Sequence, residues 1–361
     1  MRLLTPSFLA ALLAVAPTAL HGHPVEPANT RPLTEVEIPD TSALIPSGWR
    51  ETVVSVRDVD QMVAFYTGTL GWELRTSGKV DRAMLEAWGL PPEASARFAL
   101  VANPGSDHGF VRIVSFKGVE QRRIREHDVP WDTGGIFNMN IRVADMDQIE
   151  REATDAGWQG ISRPVTFTFG PFVVSEWIPR TSDGVRIAFI KRHSPPLEGW
   201  PNLTVTSRTF NSTQIVADLN EALQFYQGVL GFHTTMTTRG PSAEPGEYVL
   251  GLSREAMVEI TREVRIVSPA DAGNDGSIEL LEFEGYTGRD FSDHARPPNL
   301  GNLMLRFPVP DVDALVAYLR ARGVTPEYAP VETEVRPYGP VKITAIRAPD
   351  GAWLEFFQTL N

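Results

Sequence analysis

Two stretches of this chain follow one pattern. VRDVDQMVAFYTGTLGW (56–72) and VADLNEALQFYQGVLGF (216–232) align without a gap, with Asp58 and Asp218, Tyr66 and Tyr226, and Gly71 and Gly231 each 160 residues apart. A second pair of stretches agrees more loosely: Asp145 and Asp311, and Gly157 and Gly323, are 166 apart, and Asp183-Gly184 corresponds to Asp350-Gly351. A repeated stretch of this length encodes a repeated structural unit.

Each unit reads the same way. In the first, Thr52–Val56 alternate as a strand and Asp58 stands where a helix N-cap is needed. Val59, Met62, Val63 and Tyr66 then recur at helical spacing until Gly68 and Gly71 end the helix. Three strands follow, at Trp72–Thr76, Arg97–Ala102 and Phe110–Phe116, the first two separated by a Pro-containing insert at Ala87–Ala94. In the second unit, Ile136–Val143 leads to a helix from Met146 to about Ala156 and strands at Ser162–Phe167, Val173–Pro179 and Arg186–Arg192. The third and fourth units repeat the first and second. The fold predicted is α+β: four βαβββ modules, too small to bury both helix and sheet faces alone, paired into two halves with concave mixed sheets. The first half is 49–195 (modules 49–118 and 135–192) and the second is 203–361 (modules 207–285 and 301–358).

Residues 1–22 have the architecture of a secretory signal peptide, with Arg2 ahead of an apolar run that ends at His21-Gly22-His23. Export to the periplasm or outside the cell is the expectation, and 23–48 is a Pro-rich leader or arm, extended and partly mobile, that either spaces the domain from the export machinery or packs along its edge. The 361 residues include no Cys, which excludes disulfides, thiolate metal sites and Cys nucleophiles. A net charge of −12 argues against nucleic acid or an anionic membrane as partner, leaving a small-molecule ligand and a monomer or homodimer. No G-x-S-x-G elbow, phosphate-cradling loop, H-E-x-x-H or dinucleotide fingerprint is present.

The module head V-x-D-l-x-x-A-x-x-F-Y-x-x-x-L-G-F, with P-D-G-x-x-x-E near a module end, resembles the vicinal oxygen chelate superfamily. That superfamily includes glyoxalase I, bleomycin-resistance proteins, methylmalonyl-CoA epimerase and extradiol dioxygenases. The resemblance covers nearly all of 49–357. It implies metal-ligand positions seven residues before each Asp of V-x-D and mid-way along each module's last strand. These are Glu51, Arg112, Asn138 and Ala188 in the first half, and Asn211, Glu279, Met304 and Glu355 in the second. No His falls at any of the eight. An Arg among would-be ligands repels a cation, so the first half is expected to be metal-free, with Glu51 and Arg112 free to form an ion pair. The second half could hold one divalent ion weakly through Glu279 and Glu355.

A Glu inside an apolar strand such as IELLEF or WLEFF is costly to bury unless it is paired or has work to do. Two carboxylates in one apolar cup would raise one pKa and suit proton abstraction beside a carbonyl. The leading expectation is therefore an exported lyase or isomerase acting on a small, partly hydrophobic metabolite. Glu279 or Glu355 would be the base, and Asn211 would hold a substrate oxygen, with Met304, Glu51, Arg112 and Asn138 as further ligand-binding candidates. The alternatives are a sequestering protein of the bleomycin-resistance type and a metal-dependent dioxygenase. His127 and His294, in the linkers between modules, are candidates for surface or pocket rim.

Overall fold

The computed structural model describes residues 33–360 other than 128, 270 and 271. The expected signal peptide and residues 23–32 of the leader lie outside the described residues. Four helices begin where the Asp residues predict. Asp58 accepts from the backbone N–H of Asp60 and Gln61 to start Val59–Gly68, and Asp145 accepts from Gln148 to start Met146–Asp155. Asp218 caps Leu219–Leu223, which runs on as a π-helical turn over Gln224–Val229, and Asp311 caps Val312–Ala321. These bonds satisfy N–H groups that the first turn of a helix leaves without partners.

The strands form two eight-stranded sheets, and their composition corrects the expected pairing. The first sheet runs, edge to edge, through Tyr328–Val335, Gly339–Arg347, Trp353–Thr359, Gly301–Pro308, Glu51–Ser55, Phe110–Lys117, Ser95–Ala102 and Glu73–Lys79. It joins module 4 to module 1. The second runs through His233–Gly240, Arg262–Ser268, Ser277–Phe283, Thr206–Ile215, Asn138–Val143, Ile187–Ser194, Phe172–Trp177 and Val165–Phe169, joining module 3 to module 2. Each sheet is therefore built from both halves of the sequence. Its seam is an antiparallel pairing of leading strands, with Val53 opposite Met304 in one and Thr213 opposite Asn138 in the other.

The helices explain why this pairing is favourable. Those of modules 1 and 2 share one core, where Phe65 lies 4.7 Å from Trp158 between ring centroids, with Tyr66, Ile149 and Phe189. Those of modules 3 and 4 share another around Phe225, Tyr226, Leu315 and Phe307. Modules 1 and 2 thus meet through their helices, as do modules 3 and 4, whereas modules 1 and 4, and modules 2 and 3, meet through their strands. Residues 33–48 form neither helix nor strand but are seated on module 3. Thr34 N–H donates to Asn220 Oδ1 at 2.8 Å, Thr41 Oγ1 donates to the Leu230 carbonyl at 2.8 Å, and Ile45 is buried beside Trp49. No helix among the described residues is long and apolar enough to cross a membrane.

Because neither half contains a complete sheet of this kind, the N-terminal half cut in the 195–203 linker should not melt cooperatively as a monomer. Mixing it with the C-terminal half should restore the transition in calorimetry. A cooperative monomeric melt of the isolated half would contradict the pairing.

Candidate functional site

Each sheet curls around a concave face, and the two concave faces have different contents. In the first, alternation turns Glu51, Arg112, Arg306 and Glu355 inward, all essentially buried. Glu51 accepts from Arg112 Nε and Nη2 at 2.6 and 3.0 Å, from Arg306 Nη1 at 2.9 Å and from the Tyr338 hydroxyl at 2.9 Å. Glu355 accepts from Arg306 Nε at 2.6 Å, Trp88 Nε1 at 2.7 Å and the Tyr328 hydroxyl at 2.9 Å. Burial acts to raise the Glu51 pKa, yet Arg112 and Arg306 outweigh it and hold the carboxyl below its usual range. Trp88 arrives from the insert that follows the short helix Arg82–Ala87, and with Met84, Leu85 and Leu90 it fills the cup with apolar side chains.

The expected Glu51–Arg112 ion pair is present. The catalytic reading of Glu355 is not sustained. The side chain is fully buried and accepts hydrogen bonds from a guanidinium, an indole and a phenol inside a filled cup, so no substrate can reach it as a base. Glu355 also stands in a different sheet from Glu279, so the two cannot share a metal or a proton. Met304, expected to bind ligand beside Asn211, is instead buried in the core of this filled cup.

The second cup is open. Modules 2 and 3 enclose a cavity of about 670 Å³. Its floor carries a chain of polar side chains across the seam. Ser277 Oγ donates to Asn274, Asn211 Nδ2 donates to Ser277 Oγ at 2.7 Å, and Asn140 Nδ2 donates to Asn211 Oδ1 at 2.7 Å. Asn138 Nδ2 donates to Asn140 Oδ1 and, at 3.2 Å, to Thr213 Oγ1, which lies 3.4 Å from Glu279 Oε1. Asn211 is thus held on both sides by the floor and is not the free oxygen-binding group expected. Asn138 Oδ1 is a buried acceptor of this floor with no hydrogen-bond partner among the described residues.

Glu279 lines this cavity while its neighbours Ile278 and Leu280 pack against the helix layer, which decides the question of face left open by the strand's alternation. Burial pushes its carboxyl up to about 7, opposed by the hydrogen bond from Thr213. Sequence reasoning missed its counterpart Glu176, on Phe172–Trp177, which burial and the Glu279 charge push up to about 8 against the pull of Arg142. Arg142, Arg192, Trp200 and Phe210 also line the cavity and were missed. A signal existed for Arg142: in NMNIRV the apolar Met139, Ile141 and Val143 face the helix core, so Asn138, Asn140 and Arg142 must share the opposite face. Among the described residues no His lines the cavity; His127 sits instead against Arg289, and His294 beside Phe291.

The family model for the glyoxalase/bleomycin resistance protein/dioxygenase superfamily matches residues 50–189 and 209–356. The chain belongs to that superfamily. Among solved structures, glyoxalase I of Zea mays superposes with a TM-score of 0.56 at 16% identity, covering 86% of this chain and 92% of that one. A Bacillus subtilis subsp. subtilis str. 168 protein, provisionally assigned as a dioxygenase, superposes with a TM-score of 0.52 at 12% identity, covering 87% and 86%. At these identities the likeness is one of fold. No curated protein matches the chain significantly.

Members of the superfamily often use a divalent metal, and neither cup fits one. The first offers Glu51 and Glu355 already saturated by cations and donors, with Arg112 and Met304 completing the set. The second offers Asn138, Asn211, Glu279 and the methyl of Ala188, and Glu279, the one carboxyl at these four positions, is pushed by burial toward its protonated form. Divalent catalytic sites need several imidazole or carboxylate ligands in an open set. Among the described residues no group of three or more His, Cys, Asp or Glu is placed to hold a metal ion.

Removing Arg306, the cation shared by two buried carboxylates, should be severe. Arg306→Met is expected to cost roughly 3–5 kcal/mol in denaturant unfolding, because it strands Glu51 and Glu355 without that partner. A loss under about 1 kcal/mol, the range of exposed pairs, would show that the network does not hold the first cup closed.

Proposed function

We propose that this protein catalyses proton transfer on a small, largely apolar organic molecule, the chemistry of an isomerase or lyase, in the cup built by modules 2 and 3. One observation carries the reading: two carboxyls, Glu279 and Glu176, line one cavity with pKa values near 7 and 8. A group titrating near the working pH is the best compromise between being in the right protonation state and transferring a proton readily. Two interacting carboxyls lose their protons in two steps, so between about pH 7 and 8 the pair carries one proton. In that state Glu279, the more acidic, serves as base toward a C–H beside a carbonyl, and protonated Glu176 donates to the oxygen on which charge develops. Returning the proton from Glu279 to a neighbouring carbon gives isomerisation; expelling a β-substituent gives elimination.

The rest of the cup supports this assignment. Apolar side chains such as Val264, Leu281 and Ile178 exclude water and keep both carboxyls desolvated. Asn138, whose amide N–H groups are spent on Asn140 and Thr213, presents its oxygen as an acceptor for a substrate hydroxyl. The saturated network of the first cup supports a scaffold role for modules 1 and 4. The apolar N-terminal run supports export to the periplasm or beyond. A protein that only sequesters a ligand is the competing reading, and the apolar wall serves it equally well.

Deuterium incorporation from D2O into a panel of small enolisable carbonyl compounds, followed by proton NMR, separates the two. Exchange should be fastest between about pH 7 and 8, falling below as the base is protonated and above as the acid is lost. Glu279→Gln should reduce it by roughly 10²-fold or more, and Glu176→Gln should remove the alkaline limb, while Glu355→Gln leaves the profile in place. Ligand binding unaccompanied by exchange throughout the panel would favour sequestration.

A further inference from the structure

The cavity holds a second pair of charges that proton transfer does not use. Arg142 projects from Asn138–Val143, and its register partner on the neighbouring parallel strand is Ile190. Arg192 lies two residues beyond Ile190 and so emerges on the same face. The Arg142 guanidinium lies over Phe210 at 4.3 Å and within 5.7 Å of Trp200, and that of Arg192 lies over Phe172 at 3.7 Å. The Nε of each is buried and has no hydrogen-bond partner among the described residues.

Buried cations are normally paired. Here burial and mutual repulsion press the Arg142 guanidinium down to about 10, and burial lowers Arg192 as well. Of the carboxyls in the cavity wall, Glu176 and Glu279 keep protons near neutrality, and Glu198 is exposed. Glu176 acts on Arg142 across the cup, but neither guanidinium is ion-paired or hydrogen-bonded through its Nε to a carboxylate among the described residues.

Stacking decides what shape of anion fits. With a face of each guanidinium laid on an aromatic ring, the plane is fixed and an edge presents two N–H groups in a planar fork. A carboxylate matches that fork with two oxygens in one plane. We propose that the ligand is an organic acid, its carboxylate held by Arg142 and Arg192 and its apolar body, aromatic or branched, lying along the cavity wall toward Glu279. This deepens the proton-transfer reading by naming the substrate class and relies on the same cavity, but binding can be measured without turnover.

Calorimetric titration of the full protein with phenylacetate, 3-phenylpropanoate, cyclohexanecarboxylate and the neutral isostere phenylacetamide tests it. At least one acid should bind, weakening as salt is added, and phenylacetamide should bind at least about tenfold more weakly than phenylacetate. Arg142→Met and Arg192→Met should each lower acid affinity by about tenfold or more with the thermal transition intact. Arg142→Lys, which keeps the charge and loses the fork, should fall between parent and Met variant. Equal binding of acid and amide, unchanged affinity in the double Met variant, or no binding of any acid at millimolar concentration would overturn the assignment. Glu279→Gln, which removes a like charge from the cup, should bind the acids at least as tightly as the parent does. Retained binding with no exchange in the parent would defeat the catalytic reading alone, and exchange with no preference for acids would defeat this one alone.

Discussion

The backbone pairing of leading strands across the seam is the constraint on which both cups depend. Glu51–Ser55 with Gly301–Pro308, and Asn138–Val143 with Thr206–Ile215, each join a module from one half of the sequence to a module from the other. A period-2 strand commits alternate side chains to one face. Once the seam register is set, the occupants of each concave face follow. Glu51 meets Arg306 because those residues are register partners, and Asn211 meets Asn140 for the same reason. The duplication makes these positions equivalent, and the difference in residues makes one cup an ion network and the other a polar floor under a cavity.

That divergence has an energetic logic. In the first cup Arg112 and Arg306 outweigh burial and hold the Glu51 carboxyl below its usual range, while Glu355 is enclosed by Arg306, Trp88 and Tyr328. Carboxyls in the second cup lack such partners, so burial acts on them almost unopposed and they retain protons. The same residue type is thus structural on one side and chemically poised on the other. An insert contributes as well: Trp88 and its neighbours occupy the first cup, whereas the corresponding region of module 3, with Tyr248 to Leu250, lines the second as part of its wall.

Much of the scaffold was legible in the sequence. Asp58, Asp145, Asp218 and Asp311 announce their helices because an N-cap is a local requirement, and the helices end near the glycines that break the periodicity. Alternation put Glu279 and Leu280 on opposite faces but did not say which of them faced the cavity; the helix core that receives Leu280 decides it. Module pairing was not legible. Four leading strands of similar pattern can pair in more than one way, and the choice rests on helix contacts such as Phe65 with Trp158 that no local pattern encodes. Glu355 was misread for this reason. Its partners Trp88, Arg306 and Tyr328 come from segments distant in sequence, and without them a buried Glu resembles a free base. Glu176 and Arg142 lie outside the eight positions that the resemblance implies, so it did not point to them.

The central claim is that the cup of modules 2 and 3 keeps two carboxyls protonated up to neutral pH. Carbon-13 NMR titration of the glutamate side-chain carboxyls, assigned through Glu279→Gln and Glu176→Gln, measures this directly. Two resonances should titrate with midpoints near 7 and 8, and each substitution should remove one and shift the other downward. Midpoints for both at the ordinary glutamate value near 4.5 would contradict the account.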